Sequence, residues 1–184
     1  MFPVPDKSAI EPFHVPNSNL GVILAAMYEE ERILDWEGCD NVRDLGGLPL
    51  IGGGATRTGR LVRADVLGRL TPLGKQQLLD YGIRTIIDLR GPQEIAELPS
   101  VRFDGHDQAP NYVPVGWQPN DPGASARFKK AQTRAELYII ANDYFAARNV
   151  WIMRAISQAQ PGSVVFHCHS GKDRTGIAAR CCCL

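Results

Sequence analysis

The chain has 184 residues with 20 basic and 20 acidic side chains, so its formal net charge is zero. No global field recruits nucleic acid or a membrane surface, and no stretch approaches the roughly 20 consecutive apolar residues of a membrane span. With 44% hydrophobic residues the chain can bury one true core.

Residues 1–21 carry Pro3, Pro5, Pro12 and Pro16 and read as an extended arm ahead of a single domain over 22–184. The start Met1-Phe2-Pro3-Val4-Pro5-Asp6 lacks the basic residues and apolar run of a signal peptide, which predicts a soluble cytoplasmic protein. Val22 to Leu34 has apolar residues at helical spacing with Glu29-Glu30-Glu31 on the polar side. Between 42 and 65, short apolar pieces broken by Gly46-Gly47 and Gly52-Gly53-Gly54 predict strands and turns. Thr71-Pro72 is a helix start and Gly82 a helix stop. Ile83 to Asp88 then reads as a buried strand. From Asp104 to Lys130 the chain is rich in Pro, Gly and Asp and predicts a long loop. Trp117 in that loop either packs on a substrate's phenyl ring or lipid, or anchors the loop to the core. Arg134 to Gln160 keeps a helical period through Leu137, Ile140, Tyr144, Trp151 and Ile156, and predicts one helix leading to a strand at 163–167.

The chemistry concentrates immediately after that strand. Cys168-His169-Ser170-Gly171-Lys172-Asp173-Arg174 is a Cys-(five residues)-Arg loop, and Thr175-Gly176-Ile177-Ala178-Ala179 reads as a helix start. In a strand–loop–helix turn, loop N–H groups and the positive end of the helix dipole converge on one point, which suits a tetrahedral dianion. A free cysteine is only a few per cent thiolate at pH 7, and helix N-termini and nearby cations favour the ionised form. Lys172, Arg174 and the helix terminus supply that potential to Cys168. A guanidinium grips two phosphate oxygens through its planar fork. The loop therefore predicts a phosphate-ester hydrolase with Cys168 as nucleophile and His169, Ser170, Gly171 and Lys172 as phosphate-binding residues.

Other readings of these residues fail. A Walker-type loop needs a glycine where Phe166 stands and a hydroxyl where Asp173 stands. Gly52-Gly53-Gly54 is not completed as a dinucleotide fingerprint, because Arg57 occupies the third glycine position. Adjacent strand residues point to opposite faces, so His167-Cys168-His169 does not chelate one ion, and neither metal nor cofactor is expected. Cys39, Cys168, Cys181, Cys182 and Cys183 are clustered wrongly for a disulfide framework. Cys181-Cys182-Cys183-Leu184 formally fits a prenylation pattern, but its middle positions are not aliphatic and it is not read as one.

His167-Cys168-His169-Ser170-Gly171-Lys172-Asp173-Arg174-Thr175-Gly176 resembles the signature of the tyrosine/serine protein phosphatases of bacteria and fungi. Asn41-Val42-Arg43-Asp44-Leu45-Gly46-Gly47, Gly59 to Asp65 and Gly82 to Arg90 look like that family's earlier motifs. The resemblance runs from about residue 34 to 179. It implies an α/β fold with a central, mostly parallel sheet flanked by helices. It also implies a two-step reaction through a phosphocysteine on Cys168, with Arg174 holding phosphate oxygens and Thr175 assisting thiolate departure. Phosphorylated proteins or phosphoinositides are the implied substrates. Two carboxyls are candidates for the general acid: the family favours Asp173, while Asp88 ends a strand facing the same crevice. The other reading of Asp88 is a salt bridge to Arg43 or Arg90.

Related phosphatases continue past this point with further helices, so the sequence reads as C-terminally short. That leaves an alternative of a different class, a catalytically silent fragment or phosphate-binding module. A rhodanese-like sulfur transferase is a weaker third reading, disfavoured by Gly171-Lys172-Asp173-Arg174-Thr175-Gly176.

Overall fold

The computed structural model describes residues 31–50, 53–117 and 122–182. Five strands form one sheet: β1 (Arg43–Asp44), β2 (Leu61–Ala64), β3 (Ile83–Asp88), β4 (Asn111–Pro114) and β5 (Ser163–His167). Their order is β1-β2-β5-β3-β4, with β1 antiparallel to β2 and every other neighbour parallel. The expected α/β architecture is present.

All five residues of β5 are buried, as a central strand with helices on both faces requires. Alternation divides the core. Val164 and Phe166 join Ile87, Leu89, Phe145, Ile152 and Ala178 on one face. Val165 joins Val62, Leu67, Leu78, Ile83 and Ile86 on the other. The second face is covered by α1 (Pro72–Asp80), whose Thr71 cap accepts the Gly74 N–H at 3.1 Å and whose end is turned by Gly82 at φ +87°. After β3 comes the short α2 (Pro92–Glu97). The first face is covered by α3 (Pro122–Phe128), α4 (Arg134–Tyr144), α5 (Ala146–Ser157) and α6 (Asp173–Cys182).

Two expectations change. The helix predicted over 134–160 is two helices, broken at Phe145, which adopts φ −102° and ψ +23°. The break lets Phe145 sit 4% exposed among Trp117, Phe128 and Tyr144, with ring centroids 5.0, 6.1 and 5.0 Å away. Burial of that ring outweighs the local helical period. The segment 104–130 is not one loop, because it contributes β4 and α3. Trp117 is 2% exposed and donates its indole N–H to Asn149 of α5, so it anchors this segment to the core. The Val22–Leu34 helix falls mostly outside the described residues, as does the boundary expected at 21/22. No helix among the described residues is long and apolar enough to cross a membrane.

Alanine normally favours a helix interior over glycine by about 1 kcal/mol. At position 74 a Cβ would lie 2.1 Å from the Glu37 carbonyl oxygen and 2.8 Å from Leu70 Cδ2. Gly74→Ala is therefore expected to destabilise the chain by about 1–3 kcal/mol through overpacking, read as a lower urea midpoint. A raised midpoint would contradict the close packing of α1 on this segment.

Candidate active site

Strands β2, β5 and β3 run in parallel and end together, with His167 paired to Ala64 on one side and Asp88 on the other. The Cys168 loop leaves β5 at this carboxyl edge, where open α/β sheets place their ligands. It closes into the first turn of α6.

Outside partners hold the loop carbonyl by carbonyl. The Cys168 oxygen lies 3.1 Å from His167 Nδ1. The His169 oxygen accepts the Val66 N–H at 3.0 Å. The Ser170 oxygen accepts Asn41 Nδ2 at 3.0 Å, and the Gly171 oxygen accepts Arg63 Nη2 at 2.5 Å. Among the described residues, no acceptor takes the N–H groups of residues 169–172. Gly171 sits at φ +68°, and a Cβ there would fall 2.8 Å from the Ala64 oxygen, so glycine is required. His169, Ser170 and Lys172 expose their side chains.

Cys168 is 2% exposed, and its Sγ accepts the Thr175 hydroxyl at 3.0 Å. Arg174 forms a two-pronged pair with Glu94 of α2 at 2.6 and 2.7 Å. Burial opposes the Arg174 cation, but the Glu94 hydrogen bonds and nearby negative charge outweigh it and raise its pKa. The Arg174 bonds, with help from the Gly91 N–H, hold Glu94 below the ordinary carboxylate range despite burial. Asp173 opens α6 half-exposed, accepts the Tyr138 hydroxyl of α4, and lies 3.5 Å from Arg134 Nη1.

Asp88 lies beneath the loop with no exposure. Its oxygens take the Arg90 backbone N–H at 3.0 Å, Arg90 Nε at 3.0 Å and Nη2 at 2.7 Å, and the Tyr112 hydroxyl at 2.9 Å. Burial pushes this carboxyl's pKa up, yet the Arg90 hydrogen bonds and the Arg90 charge bring it below its ordinary value. The ion pair is with Arg90, while Arg43 binds Asn41. His167 is fully buried, and its Nδ1 carries the proton because it faces a carbonyl oxygen. Its Nε2 stands 3.5 Å from Asp88 and finds no hydrogen-bond partner among the described residues.

A buried thiol, a paired arginine and a run of unclaimed amides thus converge at one strand end, with Asp173 at the rim. The model of the tyrosine phosphatase family matches residues 34–183. The chain belongs to the tyrosine phosphatase family. It is 29% identical over 120 residues to a tyrosine-protein phosphatase of Nostoc commune, covering 64% of this chain and 40% of that protein. It is also 29% identical over 159 residues to a Cupriavidus necator protein with tyrosine-protein phosphatase in its name, covering 84% and 58%. This family member spans about 40% and 58% of the lengths of those two relatives.

The residues that sequence reasoning missed are Glu94, Asn41, Arg63, Asp65 and Tyr138. Asp65 accepts the backbone N–H groups of Asn41 at 3.1 Å and Asp40 at 3.3 Å. Asn41, Arg63 and Asp65 stand inside the family-like motifs, but the roles of Asn41 and Arg63 emerge only from contacts with a loop over a hundred residues away, and that of Asp65 from its hold on Asn41. Glu94 carried a signal only as the third residue of a helix opened by Pro92.

Burial, against the pull of Asp88, lowers the His167 pKa from an ordinary 6.5. Below about pH 6.5 the unfolded chain then binds a proton that the folded chain resists, so stability falls by up to about 1.4 kcal/mol per pH unit. His167→Gln is expected to flatten that slope in urea titrations between about pH 7 and 5.5. Equal slopes for the two chains would contradict a neutral buried imidazole.

Proposed function

We propose that this chain is a phosphomonoester hydrolase acting on phosphorylated protein through a phosphocysteine intermediate. The observation that carries the reading is the Cys168 thiol, hydrogen-bonded by Thr175 at 3.0 Å, at the base of a loop whose amides of residues 169–172 have no acceptor among the described residues.

In the first step the Cys168 thiolate attacks phosphorus. The S–P bond forms, the P–O ester bond breaks, and protonated Asp173 gives its proton to the leaving oxygen. A general acid of this kind contributes about 10²–10⁴-fold. Asp173 is the better donor because it is half-exposed at the rim, whereas Asp88 is ionised and engaged by Arg90 and Tyr112. Asp88 instead positions the strand ends under the loop.

In the second step water attacks phosphorus and loses its proton to the Asp173 carboxylate. The P–S bond breaks, phosphate departs, and the Thr175 hydroxyl stabilises the returning thiolate. In both transition states the equatorial oxygens take the loop amides and the free edge of the Arg174 guanidinium. Each such preorganised donor is worth about 10²–10³ in rate.

Hydrolysis of an aryl phosphate by residues 1–184 tests the reading. Turnover is expected to persist in EDTA, to vanish in Cys168→Ser, and in Thr175→Ala to keep a burst of phenol release followed by a slow steady state. Turnover that survives Cys168→Ser would contradict it. A folded chain that binds phosphate without turnover would favour the silent binding module instead.

A further inference from the structure

The loop faces an anion only if its peptide planes are held one way round. A planar trans peptide puts each carbonyl and the following N–H on opposite sides, and the described chain contains no cis bond. A carbonyl tied to the outside of the loop therefore commits the next N–H to the inside. The outward ties at Cys168 and His169 come from the adjacent imidazole and from backbone, the Val66 N–H just past the end of β2. The ties at Ser170 and Gly171 come from two side chains alone, 129 and 108 residues away in sequence.

These two carbonyls belong to the peptides on either side of Gly171. Glycine is the residue that offers least resistance to a peptide flip, so this is where the loop most needs outside restraint. Both tethers are themselves fixed. Asn41 gives its backbone N–H to Asp65 at 3.1 Å and accepts Arg43 Nη1 on its Oδ1, which leaves the Nδ2 donor aimed at the Ser170 oxygen. Arg63 lies in β2, in register with Phe166 of β5, so the sheet sets its reach to Gly171.

We propose that Asn41 and Arg63 are positioning residues that set the oxyanion cradle by fixing the two peptides around Gly171. The inference rests on reading this loop as a phosphate site. Neither side chain touches the substrate; each acts by directing an amide, those of Gly171 and Lys172 respectively.

The test uses the full chain and tungstate, an unreactive oxyanion, titrated by calorimetry beside aryl phosphate kinetics and thermal melts. Asn41→Asp keeps the Arg43 pairing but sets a carboxylate against the Ser170 oxygen. Arg63→Met keeps the apolar stem and removes the donors, and Arg63→Lys restores one. Asn41→Asp and Arg63→Met are expected to weaken tungstate binding about tenfold or more and to lower kcat/KM in parallel. Melting temperatures should stay within a few degrees of the wild type, and Arg63→Lys should recover part of the affinity. Folded variants that bind tungstate as tightly as the wild type overturn the proposal and leave Cys168-dependent hydrolysis untouched. A wild type that binds tungstate without turnover removes the hydrolase reading, and the same affinity comparison still decides the positioning role. A wild type that binds no tungstate overturns the cradle and the positioning role together. Should Arg63→Met fail to fold, Arg63→Lys decides: reduced affinity supports the proposal and wild-type affinity overturns it.

Discussion

Each carbonyl from Cys168 to Gly171 has its partner on the outside of the loop, and the planar peptide then leaves the following N–H only the other side. That constraint explains why distant parts of the chain must meet here. β2 must lie beside β5 in register for Arg63 and Val66 to reach the loop. The segment before β1 must return to the end of β2 for Asp65 to hold Asn41. Position 171 must be glycine, because its backbone occupies φ +68° against the Ala64 carbonyl. The sheet is built so that its carboxyl edge can orient four amides.

The charges around the loop follow the same logic. Arg174 does not offer a naked cation, because Glu94 holds one face of its fork with two short bonds. The two-pronged pairing fixes the plane of the guanidinium beside the loop. It costs some of the positive field, and the amides and the α6 terminus supply what it gives up. Deeper down, Asp88 and Arg90 are both fully buried and satisfy each other. Removing one partner of such a pair leaves an unmatched buried charge, which costs about 3–5 kcal/mol. The wholly buried His167 stays neutral beside them and spends its one proton on the Cys168 carbonyl.

Local patterns made much of this legible in the sequence. The Thr71 cap, the Gly82 stop, the apolar strand Ile83–Asp88 and the strand–loop–helix at 163–179 are encoded by residues close together, and they stand where the pattern puts them. The break at Phe145 was hidden because the helical period continues straight through it. Only the three aromatic neighbours of that ring reveal why the chain turns. Strand β4 was hidden because it is a four-residue edge, and three of its residues are exposed. Within the candidate site, Cys168 and Arg174 stood out by spacing and Thr175 by the family resemblance, whereas Glu94 is 80 residues from its partner and nothing local announces the contact. Carbonyl tethers are invisible to sequence patterns, because the group being held is backbone.

The central claim is that this scaffold makes Cys168 a nucleophile toward phosphorus. The most direct measurement is a rapid acid quench of the chain during aryl phosphate turnover, followed by peptide mapping by mass spectrometry. The account predicts a phosphoryl group on the peptide containing Cys168, attached to sulfur and most abundant when Thr175 is replaced by alanine. Turnover with no phosphorylated intermediate, or with the phosphoryl group on a carboxylate or imidazole instead, would contradict it.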